Sequence, residues 1–463
     1  MSHQSFNNTQ NTKAMMKSST TIILCLAAAA LLLPSCNKNL KPDLLPGITV
    51  KSDTVYVSSE GGEAGFTYSL ENPVENEMLH AEPQAEWISG ITVRNDAVSF
   101  TVSANTEAET RTASIILSYS SAYDTVYVRQ EATEITYTDL GEYANCYIVP
   151  TEGHWFFNTG KVNGGQIDGI ASVDWLWATN PVSDSESQDI LTDIEYRDGA
   201  VYFTSTGQRG NLVLAALDAS GNIVWSWHIW AAETPGSHIY PNGVEFMDRF
   251  IGAYGTEPGS TDTYGMLYQW GRKDPIYGGT LNEATDNIAF ATAEAETIVN
   301  EKLGRSWEFI EEGGDASRGI REPMTMFCAP SSNWILDPSE TKWAEQKTDT
   351  DPCPAGWRVP SSEDFSDIVN AEFDVVKNGL SLDGDGFTAW YPAQGCREDI
   401  TGVLVLINSM MCWTSTEQIR EDVIDPSKIY YFSERVVSSP YLTTMNNSPG
   451  NRAMAQPIRC IKE

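Results

Sequence analysis

The sequence predicts a mainly β protein whose C-terminal part mixes α and β: a β-sandwich, a second β-rich segment and an α+β domain. Three observations carry this. Apolar residues alternate with period two between Ile48 and Val128, with turn-forming clusters between the runs. Longer apolar runs between residues 135 and 240 are split by "RDG" and "DASGN" turns. Helical periodicity appears only after residue 284.

The chain opens with a secretory pattern. An apolar run from Thr21 to Leu33 follows Lys17 and is too short to span a bilayer, so residues 1–35 read as a signal peptide. The run ends in Leu33-Pro34-Ser35-Cys36, which resembles the lipobox of bacterial lipoproteins. The resemblance implies that Cys36 is lipidated and heads the mature protein, giving stable membrane anchoring. Asn37 follows it, and no inner-membrane retention aspartate is present, so the outer membrane is expected, on the surface or the periplasmic face. Residues 36–46 form a tether.

The 463 residues carry 63 acids against 29 Lys and Arg, a net charge of −34. Nucleic acid is excluded as a default partner, because phosphate contacts need basic clusters. The acids are dispersed, which reads as a solvated surface.

In residues 47–133, Val98, Phe100 and Val102 share one strand face, as do Ile115, Leu117 and Tyr119, then Val126 and Val128. The turns "SEGGE", "NPVENE" and "NTEAET" punctuate a β-sandwich. The stretches "SSEGGEAGFTYSL", "EWISGITV", "VSFTVSANTEAETRTASIILSY" and "VYVRQE" resemble the BACON domain, an immunoglobulin-like module of Bacteroidetes surface proteins. The resemblance implies that Trp87 fills the core and that Arg111 opens a strand after the Asn105 turn. It leaves two roles open, spacer or carbohydrate and mucin binder; no row of exposed aromatics is visible in the sequence.

Residues 135–240 continue as strands. "LVLAALDASGNIVWSWHIW" reads as a hairpin buried on both faces. Core packing accounts for most of its aromatics, such as Trp225, Trp227 and Trp230; sugar stacking is the lesser reading. Beyond them, residues 284–302 and 360–373 read as helices. In the second, Ser361 and Asp364 form a capping-box-like start, and Phe365, Ile368, Val369 and Phe373 share a face.

Residues 241–463 resemble the Fibrobacter-type major paralogous domain, an exported family with a C-type-lectin-like fold. The motifs run in order: "GVEFMDRFIGAYG", "GMLYQWGRKDP", "DPCPAGWRVPSSEDF", "WYPAQGCRED", "MMCWTSTE" and "PIRCIKE". Beside this resemblance, a Cys353–Cys460 bridge is expected to tie the last strand to the loop at Cys353. Cys396 and Cys412 are either a second bridge or two buried thiols, and Cys146 and Cys328 stay unassigned. Trp270, Arg272, Trp390, Arg397 and Trp413 are the candidate ligand contacts of the lectin-like head, although Trp270 and Trp413 also suit a core.

No cofactor, metal site or catalytic residue is expected. "SLDGDGF" places Phe387 where a calcium loop needs an oxygen ligand, so it reads as a turn. No G-x-S-x-G, H-E-x-x-H or P-loop occurs. The expected function is a lipid-anchored, non-enzymatic envelope protein. Its head would engage glycan (mucin or polysaccharide) or another envelope protein, with the BACON-like module as spacer. The alternative is a structural envelope or fimbria-associated lipoprotein without a small ligand.

Overall fold

The computed structural model describes residues 44–179, 190–278, 297–329, 333–335, 337, 342–366, 371–384, 386–421, 429–439 and 442–463. The signal peptide, Cys36 and most of the tether lie outside them. The chain divides into two compact units at Glu134/Ile135.

The N-terminal unit is an eight-stranded sandwich. Its strands are β1 (Gly47–Val50), β2 (Thr54–Val57), β3 (Gly62–Glu71), β4 (His80–Pro83), β5 (Ile88–Val93), β6 (Ala97–Val102), β7 (Arg111–Tyr119) and β8 (Ala122–Gln130). One sheet runs β1-β3-β6-β5 and the other β2-β8-β7-β4. The alternation seen in the sequence is what closes it. Val98, Phe100 and Val102 face Ile115, Leu117, Val126 and Val128 in one buried core. Gly61 makes the turn into β3 at φ +72°, where a Cβ would lie 2.3 Å from the Val102 carbonyl oxygen, so only glycine fits. Arg111 opens β7, as expected. Trp87 is only half-buried: it packs on the rim of the core, and the Arg111 guanidinium covers its ring at 4.6 Å.

The regular structure described in the C-terminal unit is likewise nearly all strand, joined by long loops. Those nearest its start are β9 (Thr138–Asp139), β10 (Cys146–Val149), β11 (Gly153–Asn158), β12 (Ser172–Thr179), β13 (Leu191–Arg197), β14 (Ala200–Ser205), β15 (Gly210–Leu217) and β16 (Ile223–Ala231). Both expected hairpins form. Asp198 and Gly199 take positive φ between β13 and β14, and residues 218–222 join β15 to β16. Every residue of β15 is buried. Leu212, Leu214, Trp225, Trp227 and Ile229 pack in the core shared with the β13-β14-β11-β9 sheet, while Val213, Ala215 and Trp230 enter a second core with Tyr268, Trp270 and Met454.

That second core corrects the expected domain boundary at residue 240. The five-stranded sheet β10-β16-β15-β12 takes its last strand from Thr297–Val299, and its far face is covered by residues beyond 241. Residues 135–463 therefore fold as one unit.

The helix expectations also change. Of 284–302, residues 284–296 lie outside the description, and the rest forms the strand Thr297–Val299 and a 3-10 turn at Glu301–Leu303. In 360–373 the capping bonds are present: the Asp364 amide donates to Ser361 Oγ at 3.3 Å, and the Ser361 amide to Asp364 Oδ2 at 2.6 Å. They cap only the 3-10 turn Glu363–Phe365, and Ala371–Asp374 is a strand. Among the described residues one α-helix appears, Ala316–Arg321. "SLDGDGF" lies in a hairpin, with Gly384 paired to Phe387.

Cys353 and Cys460 are joined in a disulfide, with Cα atoms 6.0 Å apart. Asp351 organises the loop beside it: its carboxylate, wholly buried, accepts from the amides of Cys353 (2.8 Å) and Val359 (3.0 Å). Cys396 and Cys412 are free, which corrects the bridge weighed for them. The strand period explains it. Met411 faces the core that holds Cys396, so Cys412, one residue on, faces the opposite core. Burial pushes both thiols up to about 12. Cys146 and Cys328 are likewise buried and free.

His228 on β16 is a buried neutral imidazole. Asn211 uses its amide N–H groups on Gly252 and Tyr254, so its Oδ1 must accept from His228 Nε2 at 2.8 Å. Nδ1 is then free to accept from the Tyr268 hydroxyl at 3.2 Å. Burial pushes the folded-state pKa down to about 3 from an ordinary value of 6.5. Between those values the unfolded chain binds the extra proton, so stability is complete above pH 6.5 and declines as pH falls towards 3. The expected slope is about 1.4 kcal/mol per pH unit at most. Urea unfolding at pH 7, 5 and 4 should show His228→Gln with a shallower pH dependence than the parent chain.

Candidate functional site

The five residues expected to contact ligand do not form a surface site. Trp270, Arg272, Trp390, Arg397 and Trp413 are each at most 4% exposed. Trp390 Nε1 meets no acceptor among the described residues, and the other four direct polar atoms to backbone carbonyls. Trp270 Nε1 donates to Thr414 O at 2.8 Å and Trp413 Nε1 to Tyr268 O at 2.8 Å. Arg272 donates to Thr325 O at 2.7 Å and to the last turn of the helix Ala316–Arg321, and Arg397 to Tyr277 O and Gly402 O at 2.9 Å. Loops without regular pairing leave carbonyls buried, and these side chains satisfy them. Arg459, Lys347 and Trp334 of the same unit play the same part, Arg459 donating to the Met247, Trp390 and Asp248 carbonyls.

An open aromatic surface lies on the sandwich instead. In β8, Val126 and Val128 point inward, so Tyr123, Thr125, Tyr127 and Arg129 point to solvent. β2 runs parallel beside it, with Thr54 opposite Tyr127 and Tyr56 opposite Arg129, which puts Tyr56 on the same face. On the other side β7 sets Ser118 opposite Tyr123, Ile116 opposite Thr125 and Ser114 opposite Tyr127. Tyr56 is 72% exposed, Tyr123 74% and Tyr127 48%. Strand geometry spaces Tyr123 and Tyr127 about 13 Å apart along β8. Tyr56 lies diagonally about 8 Å beyond Tyr127.

Large exposed aromatics on a flat sheet are unusual in a monomer and mark contact surfaces. Tyrosine suits a ligand with alternating apolar and hydroxyl faces, because the ring stacks and the O–H bonds at its edge. Hydroxyls of Ser114, Ser118 and Thr125 surround the rings, and Glu82 on β4 is the one carboxylate at these paired positions. In a chain with 63 acids such a face is a neutral island. The outward direction of Tyr56 and Tyr127 was legible from the valines that flank them, and that of Tyr123 from its even spacing from Tyr127. Their adjacency was not, because it depends on β2 pairing with β8, some seventy residues later.

The N-terminal unit is thus an immunoglobulin-like sandwich with an open tyrosine face. Residues 78–131, which include Tyr123 and Tyr127, match a family model described as "BACON: Putative binding domain, N-terminal". Among solved structures, the chain is similar to the Bacteroides ovatus GH5 xyloglucanase in complex with a XXXG heptasaccharide. Identity there is 21%, over 22% of this chain and 21% of that one, with a TM-score of 0.16. The match thus spans about a fifth of the xyloglucanase. A protein from Bacteroides thetaiotaomicron, solved by NMR, is 13% identical over 21% of this chain and 98% of that one, with a TM-score of 0.16. The I-band fragment I67–I69 of titin is 12% identical over 42% of this chain and 67% of that one, at a TM-score of 0.18. No curated protein matches the chain significantly.

Proposed function

We propose that this is a lipid-anchored outer-membrane protein that binds glycan without catalysis, and that the sandwich face carrying Tyr56, Tyr123 and Tyr127 makes the contact. The observation that carries the reading is the exposure of these three rings on one face. The family match over residues 78–131, which holds Tyr123 and Tyr127, supports it. The sandwich then acts as a binder as well as a spacer, and the ligand class is a neutral polysaccharide or mucin chain laid across β8 and β2. The lipobox-like Leu33-Pro34-Ser35-Cys36 supports the anchor.

The test is affinity electrophoresis of the full-length chain in detergent through gels containing xyloglucan, galactomannan or mucin. The parent chain is expected to be retarded by at least one of them. The Tyr56→Ala/Tyr123→Ala/Tyr127→Ala variant should lose at least tenfold in affinity, about 1.4 kcal/mol. Its melting temperature should hold, since exposed residues contribute little to stability. Free migration of the parent chain in every gel would favour the structural envelope protein. Equal retardation of the triple variant would remove the tyrosine face from the account. For the anchor, Cys36→Ser is expected to release the chain from the membrane fraction; retention there would refute lipidation.

A further inference from the structure

The C-terminal unit carries a groove of about 570 Å³ between the turn 218–222, the loop 161–168 and the helix Ala316–Arg321. That volume lies within the range of small-molecule sites. Its floor is apolar, with Ile320 of the helix beside Trp225 of β16. Trp225 is itself buried, and its indole N–H meets no acceptor among the described residues. The rim is polar and mixed in charge. Lys161 stands on the loop, its Nζ 5.7 Å from the centre of the Trp225 ring, and Arg321 stands on the helix. Among the described residues neither cation has a carboxylate within ion-pairing distance; Arg321 donates only to Ser317 Oγ, at 2.7 Å. The two acids of the rim differ. Asp218 is committed to its own turn, accepting from Asn222 Nδ2 (3.0 Å) and from the amides of Ser220 and Asn222 (both 2.8 Å). Asp168 is open to accept from a ligand hydroxyl.

What distinguishes Lys161 and Arg321 is their place: in a chain of 63 acids against 29 basic side chains, two cations share the rim of one groove whose floor is apolar. We infer that the groove binds an anionic saccharide, a sugar carrying a carboxylate or sulfate, with Lys161 and Arg321 on the anionic group. Arg offers a planar fork for either anion and Lys a mobile point charge. Asp168 accepts from ring hydroxyls, and the Ile320 side of the floor meets the apolar C–H face. A ligand made only of hydroxyls would leave both cations unmatched, and a bare inorganic anion would leave the apolar floor uncovered. The site is distinct from the tyrosine face and does not depend on it.

Titration calorimetry on the full-length chain in detergent tests this with three probes: digalacturonate, a sulfated chondroitin disaccharide and neutral galactobiose. At least one anionic probe is expected to bind at least tenfold more tightly than galactobiose, and more weakly as salt rises. Which of the two binds identifies carboxylate or sulfate as the group read. Lys161→Ala/Arg321→Ala should lose at least tenfold, and Lys161→Arg should retain most of the affinity. Both positions lie on the surface, so the melting temperature checks that each variant is folded. The tyrosine triple variant should bind the anionic probe as the parent does, which separates this site from the sandwich face. Failure of both anionic probes to bind, equal binding of galactobiose, or unchanged affinity in the double alanine variant would each overturn the inference.

Discussion

Replacing Cys353 and Cys460 together by serine is expected to cost the C-terminal unit about 4–5 kcal/mol of unfolding free energy. The bridge spans 107 positions of sequence, and both cysteines are fully buried. It ties the loop after Asp351 to the strand Ile461–Lys462, which itself pairs with Trp357–Arg358 and Glu245–Met247. Without it, the last residues of the chain are held by two short ladders, the Arg459 bonds and the amides of Trp413 and Ile251, which donate to the Pro457 and Ile458 carbonyls. Most of the loss arises in the unfolded ensemble, where the cross-link removes loop-closure entropy. Tryptophan fluorescence during urea unfolding reads this unit almost alone, because every tryptophan except Trp87 lies in it. A loss below about 2 kcal/mol would mean that the native contacts of residues 457–463 close the loop unaided, outside the usual range for a native disulfide.

The second large effect is expected at a buried ion pair. Lys273 Nζ lies 2.8 Å from Asp274 Oδ1, with both side chains almost wholly buried. Ser226 of β16 completes the cluster: its hydroxyl donates to Asp274 at 2.5 Å, and its carbonyl accepts from Lys273 at 2.9 Å. Burial lowers the Lys273 pKa despite the neighbouring carboxylate, so the ammonium is held there by Asp274 at a desolvation cost. Asp274→Ala strands that charge and is expected to destabilise the unit by about 3–5 kcal/mol. Lys273→Met/Asp274→Leu removes both charges and should recover at least half of the loss. If Asp274→Ala costs under 1 kcal/mol, or the double variant is the worse of the two, the pair is not what holds Ser226 and the loop together.

The helix expected at 360–373 shows what periodicity can and cannot report. Phe365 and Phe373 do reach one core, as their spacing implied. They reach it from a 3-10 turn and from a strand paired with Gly379–Gly384. Spacing encodes shared burial; the backbone path depends on a partner strand that a local window does not contain. Cys396 and Cys412 follow the same logic. Both are buried, but the core that each enters was set by where the sheets stack. The ligand residues of the head failed for a related reason. Tryptophan and arginine suit a sugar site, and equally a loop-rich core whose carbonyls need donors. Only burial separates the two.

The sequence by itself determined the sandwich alternation, the turns at Gly61, Asp198-Gly199 and 218–222, and the double-sided burial of β15 and β16. Each is a local consequence of side-chain period, backbone sterics or chain entropy. The tertiary structure alone decided that residues 135–463 share cores, that Tyr56 joins Tyr123 and Tyr127 across a parallel pairing, and that Lys161 and Arg321 meet over one groove. Local pattern states which side of a strand is buried or exposed. What lies against that side is settled by strand pairing and packing between residues far apart in the chain, and in this protein both proposed binding surfaces are made there.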